Sequence, residues 1–416
     1  MKKQIYMASR FIHALLLTAA FAATAVAQTD FWEPVKGSLT GPVLAIAMGK
    51  NDVVFAGTAV GIGRSTDHGD SWNVDLSGIP VNALAVNNAG HIFAGTFGQG
   101  VFRSIDHGDT LIAINNGLTN KFIFALAINS AQHIFAGTFD GGVFRSVDNG
   151  NTWEAVNDGL TETFVAALAT NSDDHLFAAT ANGIFRSTDN GDSWEFSNAG
   201  LPEALVYALA VNAADHLFAG TGDHGVFRST NNGDSWDDLN IGVDVRTVRA
   251  LAINAAGQIF AGEAGVVGGT FRSLSNGDTW EPVKAGMPPT PVLALRFDSQ
   301  NRIWAGTDAG VFRSIGNTTA VDEDRGIMPP SFALAQNFPN PFNPSTTIAF
   351  DLAQRTPVKL RVFDVTGQEV AVLADQVFQA GTHKIVFAPN GLANGVYFYR
   401  IDAGGFVQTK KLTVLK

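Results

Sequence analysis

The tripeptide Phe-Arg-Ser returns along most of the chain, and this recurrence limits the fold more than any other feature. Its arginines are Arg64 (where Gly63 replaces the phenylalanine), Arg103, Arg145, Arg186, Arg228, Arg272 and Arg313, spaced by 39, 42, 41, 42, 44 and 41 residues. Ahead of each lies an aromatic residue followed by alanine: Phe55, Phe93, Phe135, Phe177, Phe218, Phe260 and Trp304. Further ahead sits a run such as Val206-Tyr207-Ala208-Leu209-Ala210. Behind the tripeptide a polar turn leads to Trp72, Trp153, Trp194, Trp236 or Trp280, with Leu111 taking that slot in the second unit. Each unit thus holds four short apolar runs, a to d, broken by Gly, Asn and Asp. Runs of this length between turn residues read as strands, not helices.

Four strands per ~40 residues, many times over, predict an all-β chain forming a seven-bladed β-propeller. The seventh c strand, ending at Ser314, has no tryptophan strand after it. A spare one lies at the start, Phe31-Trp32-Glu33-Pro34-Val35, and matches Thr279-Trp280-Glu281-Pro282-Val283 of the sixth unit. The N-terminal strand is therefore expected to complete the last blade, leaving no open ring ends.

Composition sets the address. Lys2, Lys3 and Arg10 precede an apolar run ending in Ala25-Val26-Ala27, the pattern of a secretory signal peptide cleaved after Ala27. The run is short for a spanning helix, and no later stretch is long enough to span. The chain of 416 residues has no cysteine, which excludes disulfides, thiolate metal sites and a cysteine nucleophile. Residues 28–317 carry 30 acids and 15 bases, a balance that argues against nucleic acid as a partner. The expected organisation is a signal peptide (1–27), propeller (28–317), linker (318–330) and small sandwich (331–416).

The turn Ser65-Thr66-Asp67-His68-Gly69-Asp70-Ser71-Trp72 resembles the Asp-box (BNR) repeat, and residues 146–153 and 187–194 match it fully. Asp67, Asp106, Asp148 and Asp189 are expected to accept backbone N–H bonds within their turns, with Trp72, Trp153, Trp194, Trp236 and Trp280 covering the blades. These are structural roles, since near-identical sites in every blade do not mark one ligand. Asp-box proteins include sialidases, some plant-polysaccharide glycosidases and a photosystem assembly factor, in which the box lies away from the ligand face. Sialidase chemistry needs a tyrosine nucleophile and three arginines, whereas this propeller has the single tyrosine Tyr207 and arginines that repeat in each blade. The arginines read as blade-to-blade or turn hydrogen-bonders, with an anion-binding ring of positive charge as the alternative. His91, His133, His175 and His216 open strand b of four different blades and so do not form a metal cluster. Neither a metal nor another cofactor is expected.

Columns where the units differ point to a ligand face. The b–c loops vary, and so does the residue after the first valine of strand a. In a four-stranded meander the b–c and d–a loops share one end of each blade. Candidate ligand-face residues are Asn82, Phe97, Phe124, Phe139, Asn182, Tyr207, His224 and Arg249. If the protein were an enzyme, Asp140, Asp223, Glu263 and Asp308 would be its candidate acids. The units also resemble the two-component-regulator type of propeller repeat, which names a repeat and not an activity.

After residue 317 the pattern stops. A polar stretch leads to Gln336-Asn337-Phe338-Pro339-Asn340-Pro341-Phe342-Asn343-Pro344, followed by six short alternating runs that predict a small Ig-like β-sandwich. With Val362-Phe363-Asp364-Val365-Thr366-Gly367, Leu392-Ala393-Asn394-Gly395-Val396-Tyr397 and the terminal Lys410-Lys411-Leu412-Thr413-Val414-Leu415-Lys416, this segment resembles the type IX secretion C-terminal sorting domain. That resemblance implies a partner in the secretion machinery and release from, or attachment to, the surface of a Gram-negative cell. The expected function is a non-catalytic binding module for a polysaccharide or a protein. The alternative is a glycoside-processing hydrolase or lyase using the acids of the variable face.

Overall fold

The computed structural model describes residues 30–37, 39, 41–240, 246–265, 268–318, 332–352, 356–378, 381–389 and 391–415. The signal peptide, and all but the first residue of the expected linker, lie outside them. The chain divides into two compact units between Ala320 and Val321.

The first unit is a ring of seven four-stranded antiparallel sheets. Six are meanders of consecutive strands, and the seventh pairs Val292–Phe297, Ile303–Thr307 and Gly310–Ser314 with Trp32–Pro34. The pairing of Trp32 with Ser314 makes the first strand the outer edge of the last blade. Each strand a packs against strand a of the next blade, and Val43–Met48 against Val292–Phe297 completes the circle. Strand d starts one residue later than the sequence pattern places it in six blades, as in Glu154–Ala155, because the residue in the tryptophan slot (Leu111 in the second blade) leaves the ladder to cover the neighbouring blade.

Strand b is buried along its whole length in every blade, as in Ile134–Thr138, because adjacent blades cover both its faces. Its aromatic residues fill the gaps between sheets and are at most 1% exposed. Its glycine answers to a close approach: a Cβ on Gly137 would lie 2.6 Å from Val165 of the next blade.

The second unit is a two-sheet sandwich. One sheet holds Ala333–Leu334, Thr346–Leu352 and Gly381–Phe387. The other orders Glu369–Phe378, Thr356–Phe363, Gly395–Ala403 and Phe406–Val414. Ile348 and Phe350 from the first sheet pack with Leu360, Tyr399 and Leu412 from the second. Alternation of buried and exposed residues along Thr356–Phe363 is what a sheet with one wet face requires. The buried Tyr399 hydroxyl donates to Ala335 O at 2.7 Å and accepts from Asn337 N at 2.8 Å, tying the proline-rich entry to the core. Burial pushes this hydroxyl's pKa up to about 12.

Candidate functional site

The two ends of the ring are built differently. At the end carrying the a–b and c–d turns, polar side chains join one blade to the next. Asp67 accepts from Ser71 Oγ at 2.5 Å, Ser71 N at 2.9 Å and Ser65 Oγ at 2.7 Å. Asp106, Asp148 and Asp189 repeat this turn. The Ser71 hydroxyl, then its N–H and the Ser65 hydroxyl, hold the Asp67 carboxyl down at about 2. Asn231 and Ser275, which replace the aspartate, still accept from the N–H four residues on.

The residue after that acceptor lies in the left-handed region; it is His68 and His107 in the first two turns and asparagine in the next four, where its amide meets a histidine of the preceding blade. His91 meets Asn149 at 3.2 Å, His133 meets Asn190 at 3.1 Å, and His175 and His216 meet Asn232 and Asn276. These histidines are interblade links, a role not visible in the sequence. Among the described residues no three His, Cys, Asp or Glu cluster as a metal site.

The repeated arginines also cross the seams. Arg145 donates to Asn190 O and Asp192 of the next blade, both at 2.7 Å, and to Glu154 of its own. Each indole N–H of Trp153, Trp194, Trp236, Trp280 and Trp32 donates to the carbonyl just past strand d of the preceding blade, at 2.7–3.1 Å. Trp72 is the exception: its N–H finds no acceptor among the described residues.

The opposite end carries the variable residues. In all seven blades the register slips between the first valine or isoleucine of strand a and the residue two on. The residue between them is a β-bulge, which drops out of the ladder and re-aims its side chain. Asn82, Phe124, Tyr207 and Arg249 are four of these bulged residues. Asn82 Nδ2 donates to Ile123 O at 3.1 Å. The Arg249 guanidinium lies 4.7 Å from the Tyr207 ring centroid, a cation–π pair across one blade seam.

Three expected aromatics come together, and two unexpected ones join them. Phe97 lies 4.9 Å from Phe122 and 6.0 Å from Phe124. Phe164 lies 5.2 Å from Phe124 and 5.7 Å from Phe139. Phe97, Phe122 and Phe139 are 47%, 41% and 52% exposed. Backbone bonds between each b–c loop and the segment before the next strand a fix the rings: Phe139 N donates to Phe122 O at 3.0 Å, and Gly142 N to Thr163 O at 3.0 Å. Phe122 and Phe164 occupy the position just before strand a, which reads Pro, Pro, Phe, Phe, Leu, Thr and Pro around the ring. That varying column was the signal that could have found them.

The candidate acids belong to four different blades. Asp140, in blade 3, accepts from Asn120. Asp223, in blade 5, lies 3.3 Å from its neighbour His224. Asp308, in blade 7, is exposed. Asn182 donates to Glu162 at 2.9 Å. Glu263 lies in the sheet and not in the b–c loop where the apolar run's end would put it. It ends strand b of blade 6 and is 9% exposed, in the slot that the other six blades fill with a buried threonine. Lys284 Nζ lies 3.9 Å from its carboxylate.

These features define a repeat propeller with one end of repeated interblade polar links and one end of varying side chains, followed by a small sandwich. Residues 336–415 match the family model of the secretion system C-terminal sorting domain. This region is a type IX secretion sorting tail, which implies secretion or cell-surface display. No helix among the described residues is long and apolar enough to cross a membrane.

No curated protein matches the sequence. Among solved structures, the chain resembles the extracellular domain of a hybrid two-component system from B. thetaiotaomicron, at 13% identity and a TM-score of 0.60, over 92% of this chain and 57% of that one. PorZ, a surface component of the type IX secretion system of Porphyromonas gingivalis, is similar at 14% identity and a TM-score of 0.52, over 90% and 60% of the two chains. YCF48 bound to D1 peptide matches at 15% identity and a TM-score of 0.56, over 68% and 97%. The chain thus spans under two thirds of the length of the first two. At these identities the likeness is one of fold.

Proposed function

We propose that this is an exported propeller of the Asp-box type, from a Gram-negative cell, whose variable end is a non-catalytic docking surface for a polysaccharide or protein. The sandwich, read as Ig-like, engages the secretion machinery, and residues 1–27 supply the export signal. The carrying observation is the cluster of Phe97, Phe122, Phe124, Phe139 and Phe164, whose rings touch one another while three stay about half exposed. A contiguous exposed aromatic patch marks an interaction site. Its rings offer no hydrogen-bonding group to sugar hydroxyls, which favours an apolar protein surface over a glycan. YCF48, a propeller of similar fold, is described with a bound peptide. Asp140 is engaged by Asn120 and Glu263 lies beside Lys284, which supports binding rather than glycoside chemistry by a pair of free carboxyl groups.

The test is surface binding of the purified chain to cells and to a glycan array, alongside a reducing-sugar assay. Phe97→Ser with Phe139→Ser is expected to lower binding at least tenfold without changing the melting curve. Sugar release that disappears in Asp140→Asn or Glu263→Gln would instead make this an enzyme.

A further inference from the structure

The ring's central channel holds a feature that neither the aromatic cluster nor the sorting tail uses. Six blades place alanine at the fifth position of strand a, namely Ala47, Ala85, Ala127, Ala169, Ala210 and Ala252, while the seventh places Arg296 there. Arg296 lies in a channel cavity of about 410 Å³, otherwise walled mostly by leucine, alanine, valine and isoleucine. That volume suits a small organic ligand. Among the described residues no acid lines either cavity of the channel, although the propeller as a whole is strongly acidic.

No hydrogen-bond or ion-pair partner meets the Arg296 guanidinium among the described residues. Asp298, two residues on, is committed elsewhere: it accepts from Arg302 at 2.8 Å and from Trp304 Nε1 at 3.1 Å. The Arg296 side chain is exposed within the channel, and a guanidinium stays charged in water-accessible protein. Its donors face the cavity without a protein partner among the described residues and are open to a matching anion.

We propose that the channel binds a carboxylate with an apolar body, the carboxylate on Arg296 and the body against the leucine-rich wall. One planar guanidinium matches one carboxylate through paired hydrogen bonds. A dianionic phosphate would leave its second charge unmatched beside hydrocarbon. Such a carboxylate belongs either to a free small acid or to a peptide's C-terminus, and the test separates these sources.

The experiment is titration calorimetry on the full chain with octanoate and with octanamide. A second arm uses a peptide ending in Ala-Ala-Leu-Leu as free acid and as amide. At least one carboxylate is expected to bind, with its neutral amide at least tenfold weaker. Arg296→Ala should abolish that preference while keeping the melting temperature, since alanine is what the other six blades carry. Arg249→Ala and Phe139→Ser should leave it intact, so this proposal and the phenylalanine reading fail separately. If neither carboxylate binds the unaltered chain, or Arg296→Ala binds as well as the parent, the proposal is wrong.

Discussion

The two ends of the ring share the same seven blades yet make opposite use of their side chains. At the Asp-turn end, serine, aspartate, asparagine, histidine and arginine are tied to a partner in their own turn or in the next blade. At the other end a bulge in each blade takes one side chain out of the ladder, and those side chains are of six kinds around the ring. Repetition is therefore the mark of load shared around the ring, and variation marks surface available to something outside it. A residue found seven times stabilises; a residue found once is the better functional candidate.

Substitutions should expose this asymmetry. The largest loss is expected for Trp194→Ala, which empties a buried site and leaves Val156 O without its donor. It should cost about 3–5 kcal/mol in denaturant unfolding, with no selective effect on any ligand. Asp189→Ala removes the acceptor of Ser193 N, Ser193 Oγ and Ser187 Oγ, and should cost about 1 kcal/mol. Phe139→Ser, on the variable end, should shift stability by less than about 0.5 kcal/mol. A loss there as large as that of Trp194→Ala would erase the distinction between the two ends.

Acid titration probes the same contrast. The Asp67 carboxyl titrates at about 2, below the ordinary carboxylate value, because its bonds from Ser71 and Ser65 favour the charged form. A depressed folded-state pKa adds stability that is fully present above the unfolded value, near pH 4. That stability fades as pH falls toward 2. The turns should hold through mild acid, and Asp67→Asn should flatten the pH dependence of unfolding between pH 4 and 2.

Much of this architecture was legible in the chain. Trp32-Glu33-Pro34 announced its place in the last blade by matching Trp280-Glu281-Pro282, since repeats carry their own internal alignment. What stayed hidden depends on two strands or two blades at once. The bulge at Phe124 exists only in the register between Ile123–Ile128 and Ile134–Thr138. The His133–Asn190 contact spans 57 residues that no local pattern connects. Glu263 looked like a loop acid because the sequence shows where apolar runs end, not where ladder pairing ends; it pairs with Val248 inside the sheet.

The pairing of the first strand with the last blade has a temporal meaning. Glu33 and Arg313 meet across 280 residues of chain. A ribosome or a translocon releases the N-terminal strand first and its partner last, so the earliest segment made must wait for nearly the whole ring. Contacts this distant in sequence form late and slowly. The ring cannot lock before its last blade has emerged, and up to that point the polypeptide stays threadable, with the sandwich still to follow.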